Sequence, residues 1–388
     1  MLEDAQHIKS ELIEWRRAIH RYPELGFNVF RTAELVTQTL NGLGIETQNG
    51  VGKSGVVAYL GEQPGPIIAI RADMDALPIQ EENEVDYASQ IPGSMHACGH
   101  DAHTAILLGV AKLLSQKTLR GQVRLLFQPS EEVADEDGVS GAPRMIEDGA
   151  LENVDAVIAL HVDGKLKTGE ISIEEGWVGA AADTFRAHII GYGGHGAYPH
   201  QTVDSIWLTS NVLNALYAIP SRQIRPLEPS VVTVGVIEGG TADNVIPDTV
   251  YLEGTLRSFS NEIREQLIQE VERVLSITRS LGGDYDLEIE RGYPPQHNDD
   301  QVSAWIRQVG IDLLGHNKVS GAQRTMGAED FSFMTQITKG AMFNLGVKLP
   351  DSDPRYLHTA TFDLDENALP IGSAVLAEIA LRFLNGDL

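Results

Sequence analysis

Cysteine and positive charge are both scarce in this chain of 388 residues. The single cysteine, Cys98, excludes an internal disulfide and a dithiol redox pair, which favours the cytoplasm. Lysine and arginine number 29 against 55 acidic residues, and the formal net charge of −26 would repel nucleic-acid phosphates. No apolar run approaches the roughly 18 residues of a membrane helix, and the acidic first residues are unlike a signal peptide. We therefore expect a cytoplasmic protein that binds neither nucleic acid nor a membrane.

The order of the predicted elements indicates two domains, as the chain length also favours. In the first part, apolar strands alternate with helices, which predicts an α/β domain with a mainly parallel sheet. Strands are predicted at 55–60, 66–73, 122–127 and 154–160, and helices at 5–21 and 104–114. From about residue 184 the order becomes β-α-β-β-α-β, the pattern of a ferredoxin-like α+β fold. We predict a catalytic domain formed by residues 1–182 and 294–388, interrupted by an inserted domain at 183–293.

The one cysteine lies in the densest group of metal-binding side chains, the segment His-Ala-Cys-Gly-His-Asp-Ala-His that starts at residue 96. A thiolate, an imidazole and a carboxylate this close together favour a transition-metal site. Glu131 and Glu132 follow one predicted buried strand, and His161 follows the next. In open α/β sheets, ligands gather at the carboxyl ends of the strands, so these side chains should share one crevice. His358, before the final predicted helix, could complete the set.

Cys98, His100, Glu132, His161 and His358 would supply five ligands, which are too many for one tetrahedral zinc and suit two ions. Each residue alone has a simpler interpretation, because a histidine at a strand end usually belongs to the surface or the core. The combination favours a metal centre over these separate explanations. A structural zinc site is disfavoured because it usually requires closely spaced cysteine pairs. The thiolate favours zinc, nickel or cobalt, and the imidazoles and carboxylate admit manganese.

Several segments together resemble one branch of the dinuclear metallopeptidases, the aminoacylase and hippuricase branch. The segments are residues 16–27, 71–79, 96–105, 127–132 and 327–331. That branch contains N-acyl-amino-acid amidohydrolases, hippurate hydrolases, auxin-conjugate hydrolases and N-acetyldiaminopimelate deacetylases. The similarity runs nearly from end to end of the chain, and it implies that the five side chains above hold two divalent metal ions.

The resemblance also assigns roles around the metal centre. It makes Glu131 the general base and His195 an electrophile that stabilises the oxyanion, often supplied across a dimer. The inserted domain would then be a lid and dimerisation domain in a homodimer or a higher homo-oligomer. Asn244 and Arg257 are similar to substrate-side groups that could bind a free carboxylate, although a strand arginine can also be a surface residue.

Asp75 matches an aspartate that, in the wider family, follows a metal-binding histidine by two positions. Asp73 occupies that histidine's place here, a departure characteristic of this branch. The resemblance places Asp75 among the catalytic residues and leaves the division of roles between Asp73 and Asp75 open.

The function predicted from these observations is metal-dependent amide hydrolysis. The substrate would be an N-acyl amino acid of the acetyl, benzoyl or indoleacetyl type, and the products would be a carboxylate and a free amino acid. The nearest alternative is a metallo-dipeptidase or aminopeptidase, which shares the metal centre. The alternative from another class is a metal-dependent binding protein without turnover.

Overall fold

The computed structural model describes residues 1–62, 64–350 and 353–388. Within these ranges the helices are α1 Leu2–His7, α2 Lys9–His20, α3 Phe30–Gly42, α4 His100–Leu114, α5 Gly141–Glu147, α6 Ser205–Arg222, α7 Asn261–Leu275, α8 Ile277–Ser280, α9 Asp300–Leu314, α10 Phe331–Ile337 and α11 Leu369–Asn385. The strands are β1 Glu46–Val51, β2 Gly55–Leu60, β3 Ile67–Asp73, β4 Gln122–Gln128, β5 Ala156–Lys167, β6 Ile171–Ser172, β7 Gly176–Gly179, β8 Ala181–Ile190, β9 Gly194–His195, β10 Ser230–Glu238, β11 Val245–Ile246, β12 Thr249–Ser258, β13 Asp284–Arg291, β14 Gln296–Asn298, β15 Val319–Ser320 and β16 Lys339–Lys348.

The chain divides into two units. The first unit comprises Met1–Gly176, His297–Gln323 and Asp330–Leu388, and the second comprises Trp177–Gln296 and Arg324–Glu329. The range predicted for the inserted domain was 183–293, so the second unit begins earlier and also takes a short segment from the later part of the chain.

An eight-stranded sheet forms the centre of the first unit, in the order β1-β2-β4-β3-β5-β16-β6-β15. Its middle strands β4, β3, β5 and β16 are parallel, whereas β1 and β2 run antiparallel at one edge. Every residue of β3 is buried, as expected for a strand covered on both faces. The parallel middle strands bring their carboxyl ends to one edge, where the candidate site lies.

Helices cover both faces of this sheet. One face packs mainly against α2, α3, α4, α9 and α11, and the other packs against α5 and α10. Helix α4 is nearly all buried, and at Gly109 it approaches its neighbours closely. A Cβ at Gly109 would lie 2.4 Å from Ser373 Oγ and 2.6 Å from Leu12 Cδ2, so α11 and α2 can contact α4 only because this residue lacks a side chain. The helix that begins at His100 is therefore held tightly from two sides.

The segment Glu366–Asn385, which contains α11, is by length and composition apolar enough to cross a membrane. It is also 67% buried within the protein over its most apolar stretch, and it packs against α4 and α9. Burial of this kind is typical of a core helix, so the segment is accounted for by the fold itself.

The second unit contains an antiparallel sheet in the order β10-β12-β8-β13. Helix α6 follows β8 and helix α7 follows β12, so the chain order is the β-α-β-β-α-β arrangement that the sequence predicts. The apolar faces of both helices and the sheet form a separate hydrophobic core. The predicted fold class is confirmed: a mainly parallel α/β unit accompanied by a ferredoxin-like α+β unit.

Candidate metal centre and catalytic site

The five predicted ligands come together in the first unit. Cys98 Sγ lies 3.4 Å from His161 Nε2 and 3.2 Å from His358 Nε2. Glu132 Oε1 lies 3.2 Å from His358 Nε2 and 3.9 Å from His100 Nε2. Residues that are up to 260 positions apart in the chain therefore place one sulfur, three nitrogens and a carboxylate in a single cluster.

Two of these residues, His161 and His100, lie in elements whose limits differ from the predicted ones. The strand predicted at 154–160 was expected to end before His161, but β5 continues to Lys167 and His161 lies within it. We also predicted that the helix starts near residue 104, but α4 starts at His100 itself. Gly99 precedes it with φ of 83°, and a Cβ there would lie 2.5 Å from Val162 Cγ2. A glycine is therefore needed for the turn that directs Cys98 and His100 into the same cluster.

Main-chain carbonyl groups fix the tautomers of two of the histidines. His100 Nδ1 lies 2.8 Å from the carbonyl oxygen of Asp75, and His161 Nδ1 lies 2.9 Å from that of Val162. Because a carbonyl oxygen can only accept, both Nδ1 atoms carry a proton, and Nε2 is in each case the ring nitrogen that faces the cluster. This second-sphere arrangement is typical of metal-binding histidines. Burial also lowers the pKa of His161 to about 3, which keeps its imidazole neutral.

The residues present fit a pair of divalent cations. His100 Nε2 is buried and has no hydrogen-bond partner within the described ranges. Burying a polar atom in this way costs free energy, unless a metal ion binds the nitrogen. Contacts with Cys98 and then with Glu132 raise the pKa of His358 to about 10, so the cluster stabilises positive charge. Thiolate, imidazole and carboxylate together form a donor set suited to zinc, nickel, cobalt or manganese.

Asp75 positions the two glutamates rather than facing open space. Its Oδ1 accepts the main-chain N–H of Glu131 and its Oδ2 accepts that of Glu132, each at 3.0 Å. Ser130, just before them, has φ of 51°, and a non-glycine residue in this region marks a backbone held by its surroundings. Both carboxylate oxygens of Asp75 accept main-chain hydrogen bonds, so Asp75 acts by holding Glu131 and Glu132 in position. Glu131 itself is buried, and its carboxylate lies within 4.8 Å of His100 and Glu132.

Asp73 forms a different set of contacts, in which its charge is neutralised. Its Oδ2 accepts from Arg71 Nη1 at 2.7 Å, and its Oδ1 accepts from His103 Nδ1 at 2.6 Å. Burial raises the pKa of Asp73. The opposing effect of His100, Arg71 and His103 is larger, so the pKa of Asp73 is well below its usual range. His103 uses its Nε2 to accept from the main-chain N–H of Val162. Neither ring nitrogen of His103 is left for a metal, as expected for a neighbour of the ligands.

Arg71, which is not among the predicted site residues, supports the site from inside the sheet. Its side chain is fully buried and also donates to Gln128 at 2.8 Å and to Asp330 at 2.9 Å. A charged residue in the middle of strand β3, directly after four apolar residues, was the signal that could have identified it.

The other three predicted residues lie in the second unit. His195 and Asn244 are neighbours, because β9 pairs with β11 and the main-chain N–H of Gly196 donates to the carbonyl oxygen of Asn244 at 2.8 Å. The ring Nδ1 of His195 accepts from the main-chain N–H of Ala197 at 3.0 Å. Its proton is therefore on Nε2, which is free to donate from an exposed side chain.

Arg257 lies at the far end of β12, away from His195 and Asn244. Its guanidinium is half-buried, and within the described ranges no hydrogen bond or ion pair holds it, whereas the nearby Arg264 forms a two-point ion pair with Asp183. Burial lowers the pKa of Arg257, and Asp183 opposes this only in part. An arginine in this condition favours an anionic ligand.

Comparison with known proteins places this arrangement in a family. The family model described as Peptidase family M20/M25/M40 matches residues 69–382. This chain belongs to that family. IAA-amino acid hydrolase ILR1-like 4 of Arabidopsis thaliana is 40% identical over 388 residues, covering 97% of this chain and 87% of the relative. N-acetyl-L-cysteine deacetylase of Bacillus subtilis is 40% identical over 387 residues, covering 98% and 90%.

A solved structure of the same family supports the fold and the kind of centre. The YXEP protein of Bacillus subtilis, described as a dinuclear metal binding peptidase from M20 family, superposes with a TM-score of 0.85. It is 32% identical and covers 98% of this chain and 99% of its own. The predicted family and reaction class are thus confirmed: this M20 chain is a metal-dependent hydrolase of amide bonds.

Proposed function

We propose that this M20 hydrolase cleaves N-acyl amino acids to a carboxylate and a free amino acid, using two divalent ions held by Cys98, His100, Glu132, His161 and His358. The observation that carries the proposal is the convergence of these five donors beside the buried Glu131. Relatives named as hydrolases of an IAA-amino acid and of N-acetyl-L-cysteine support the substrate class.

The metal pair and Glu131 divide the chemistry between them. When bound, the ions supply the Lewis acidity that polarises the amide carbonyl and acidifies a water molecule. Glu131 accepts a proton from the attacking water and returns it to the nitrogen of the leaving amino acid. Asp75 holds the main chain of Glu131 and Glu132 so that the proton acceptor keeps its place beside the ligand carboxylate.

Residues of the second unit bind the substrate and the oxyanion in this proposal. His195 donates from Nε2 to the carbonyl oxygen as negative charge develops there, and Asn244, directly before β11, assists. The unpaired guanidinium of Arg257 binds the free α-carboxylate of the amino acid.

The geometry of β12 favours a homodimer in which the active site is shared. Eight residues separate Thr249 from Arg257, which corresponds to about 26 Å at roughly 3.3 Å per residue. His195 and Asn244 lie at the Thr249 end, since the main-chain N–H of Gly191 donates to Asp248 there. One small substrate does not span this distance. Arg257 and His195 can therefore serve the same substrate only if they come from different copies of the chain.

The second unit also has a surface suited to a second copy. Helix α6 has no charged residue from Ser205 to Ser221, and its exposed side includes Trp207 and Tyr217. Tyr217 lies beside β10, an edge strand of the sheet, and its hydroxyl is within 3.4 Å of the main chain of Val234. An uncharged helix next to an open strand edge is typical of an interface between identical copies.

Mixing two inactive variants tests the shared site. A Glu131→Gln subunit and a His195→Ala subunit are each expected to be inactive alone. In a hybrid dimer, one site combines an intact Glu131 with an intact His195 from the other chain, so mixing and re-equilibration should restore hydrolysis. If both variants are inactive and the mixture stays inactive although mass spectrometry shows hybrid dimers, His195 does not act across the interface.

A peptidase acting on dipeptides is the second candidate, because Thermostable carboxypeptidase 1 of Saccharolobus solfataricus is 37% identical over 389 residues. Metal-stripped enzyme, reconstituted separately with Zn²⁺, Mn²⁺, Ni²⁺ or Co²⁺, should be assayed on acetyl-, benzoyl- and indoleacetyl-amino acids and on unmodified dipeptides. We expect the highest kcat/KM with N-acyl amino acids. The matching N-acyl amines, which lack the α-carboxylate, should bind more weakly if Arg257 binds that group. A preference for dipeptides would favour the second candidate.

A further inference from the structure

Arg16, on helix α2, is fully buried and donates to three carboxylates. Its Nε donates to Asp101 at 2.9 Å, its Nη2 to Asp363 at 3.1 Å and its Nη1 to Glu366 at 3.1 Å. Its side chain also lies 5.0 Å from the centre of the Tyr87 ring, and the Tyr87 hydroxyl donates to Asp363. Each of the three guanidinium nitrogens therefore donates to a different carboxylate.

Two of these carboxylates lie close in sequence to residues of the ligand cluster. Asp101 directly follows His100 in the first turn of α4, and Asp363 comes five residues after His358. The main-chain N–H of His358 donates to the carbonyl oxygen of Ala97, so the segment that carries His358 also lies against the segment that carries Cys98. Arg16 also joins these two segments, because it donates to Asp101 in one and to Asp363 in the other.

The backbone at His358 explains why such a connection is needed. His358 has φ of 59°, a region that non-glycine residues occupy only where the surrounding structure imposes it. The two imidazoles that approach Glu132 Oε1, those of His100 and His358, belong to segments separated by more than 250 residues. Their spacing therefore depends on tertiary contacts and not on the local sequence.

Net stability alone is a weak explanation for these buried ion pairs. Desolvating two charges costs about as much free energy as their attraction returns, and well-packed apolar residues often stabilise a core equally well. A planar guanidinium, in contrast, fixes the directions of its partners, which neither an apolar side chain nor a lysine does. The structural effect of Arg16 is thus to fix the positions of Asp101 and Asp363 relative to each other.

We propose that Arg16 is a positioning residue that sets the spacing of His100 and His358 at the Glu132 carboxylate, and thereby the affinity with which this site binds its metal ions. The inference rests on the proposed dinuclear centre. Because the five donors stay in the chain when Arg16 is changed, its loss weakens metal binding without removing a ligand.

The test is a calorimetric titration of metal-stripped full-length protein with Mn²⁺ alone. We expect the wild type to bind two ions, and Arg16→Met to bind at least one of them about 10- to 100-fold more weakly, as for other residues that orient metal ligands. Arg16→Lys should give an intermediate loss. At saturating Mn²⁺, kcat of Arg16→Lys should recover toward the wild-type value, which a general loss of folded protein would not allow.

Arg17→Met provides a matched control. Arg17 is the next residue on the same helix and also bonds to Glu366, but it contacts neither Asp101 nor Asp363. Its replacement should leave both Mn²⁺ affinities unchanged. If Arg16→Met does not fold, Asp363→Asn tests the same connection, because it weakens one arm and leaves the bond from Arg16 to Asp101 in place.

The outcomes separate this inference from the proposed function. Wild-type protein that binds no Mn²⁺, Zn²⁺, Ni²⁺ or Co²⁺ would overturn the dinuclear centre. Two tight ions in the wild type together with equally tight binding in both Arg16→Lys and Asp363→Asn would overturn only the role of Arg16.

Discussion

Replacing Glu131 with glutamine is expected to lower kcat by roughly 10²- to 10⁴-fold, the usual contribution of a general base. The amide has nearly the same shape as the carboxylate but cannot accept the proton of the attacking water. KM and metal content should change little, because Asp75 bonds to the main chain of Glu131 and not to its carboxylate. Steady-state kinetics with an N-acetyl amino acid, together with metal analysis of the same sample, would measure both.

Glu136→Gln is the matched control for this experiment, since Glu136 follows in the same segment with an exposed side chain. It should hydrolyse substrate at the wild-type rate. Full activity in the Glu131 variant would remove the proposed base. If the wild type itself bound metal and substrate without any turnover, the alternative of a metal-dependent binding protein would gain support.

Replacing Cys98 with alanine is expected to have the largest effect on metal content. The Cys98 sulfur contacts both His161 and His358, so its removal takes away the donor at the centre of the cluster. We expect fewer than two bound ions per chain by elemental analysis, and loss of hydrolysis that is only partly restored by added metal. Retention of two tightly bound ions in this variant would show that the sulfur is not a ligand.

Thiol chemistry gives an independent measurement, because Cys98 is the only cysteine in the chain. Burial raises the pKa of this thiol, so an ion is needed to hold it as a thiolate at neutral pH. Reaction with a thiol reagent should be slow in the metal-loaded protein and faster after chelation. Equal rates in the two states would argue against the assignment.

The elements that the sequence predicted well are those whose signals are local. Strand β2 matches the predicted limits because it is a short run with β-branched residues between turn residues. The end of β5 was placed too early because the uninterrupted apolar run ends at Leu160, and charged residues and a glycine are frequent after His161. The residues after His161 stay extended because β5 pairs with β16 as far as Lys167. Such an effect depends on the partner strand and is not encoded in the segment itself.

The opening helix shows the same limit on a smaller scale. A single helix was predicted over residues 5–21, but the chain breaks at Ile8, where ψ is 7°, into α1 and α2. Neither proline nor glycine marks the break in the sequence. It reflects how the two helices pack against α4 and α11, which periodicity alone does not reveal.

In the candidate site, likewise, some residues could be predicted from local sequence and others could not. The side chains of the cluster could be predicted because metal chemistry restricts ligands to a few residue types, and because Glu132 and His161 follow predicted strands. The residues that support them could not, since Arg16 reaches partners 85 and 347 positions away and Asp75 bonds to main chain 56 residues later. The cytoplasmic location and the native metal stay predictions.

The contacts of Asp75 have a consequence for how this enzyme could change its substrate. One carboxylate bonds to two successive peptide groups, so Glu131 and Glu132, the proposed proton acceptor and the proposed ligand, form a rigid turn whose two halves cannot shift separately. A bulkier acyl group cannot be accommodated by moving that turn without disturbing both functions at once. Selectivity among acyl groups should therefore vary through side chains elsewhere in the cleft, while the turn itself stays geometrically constant.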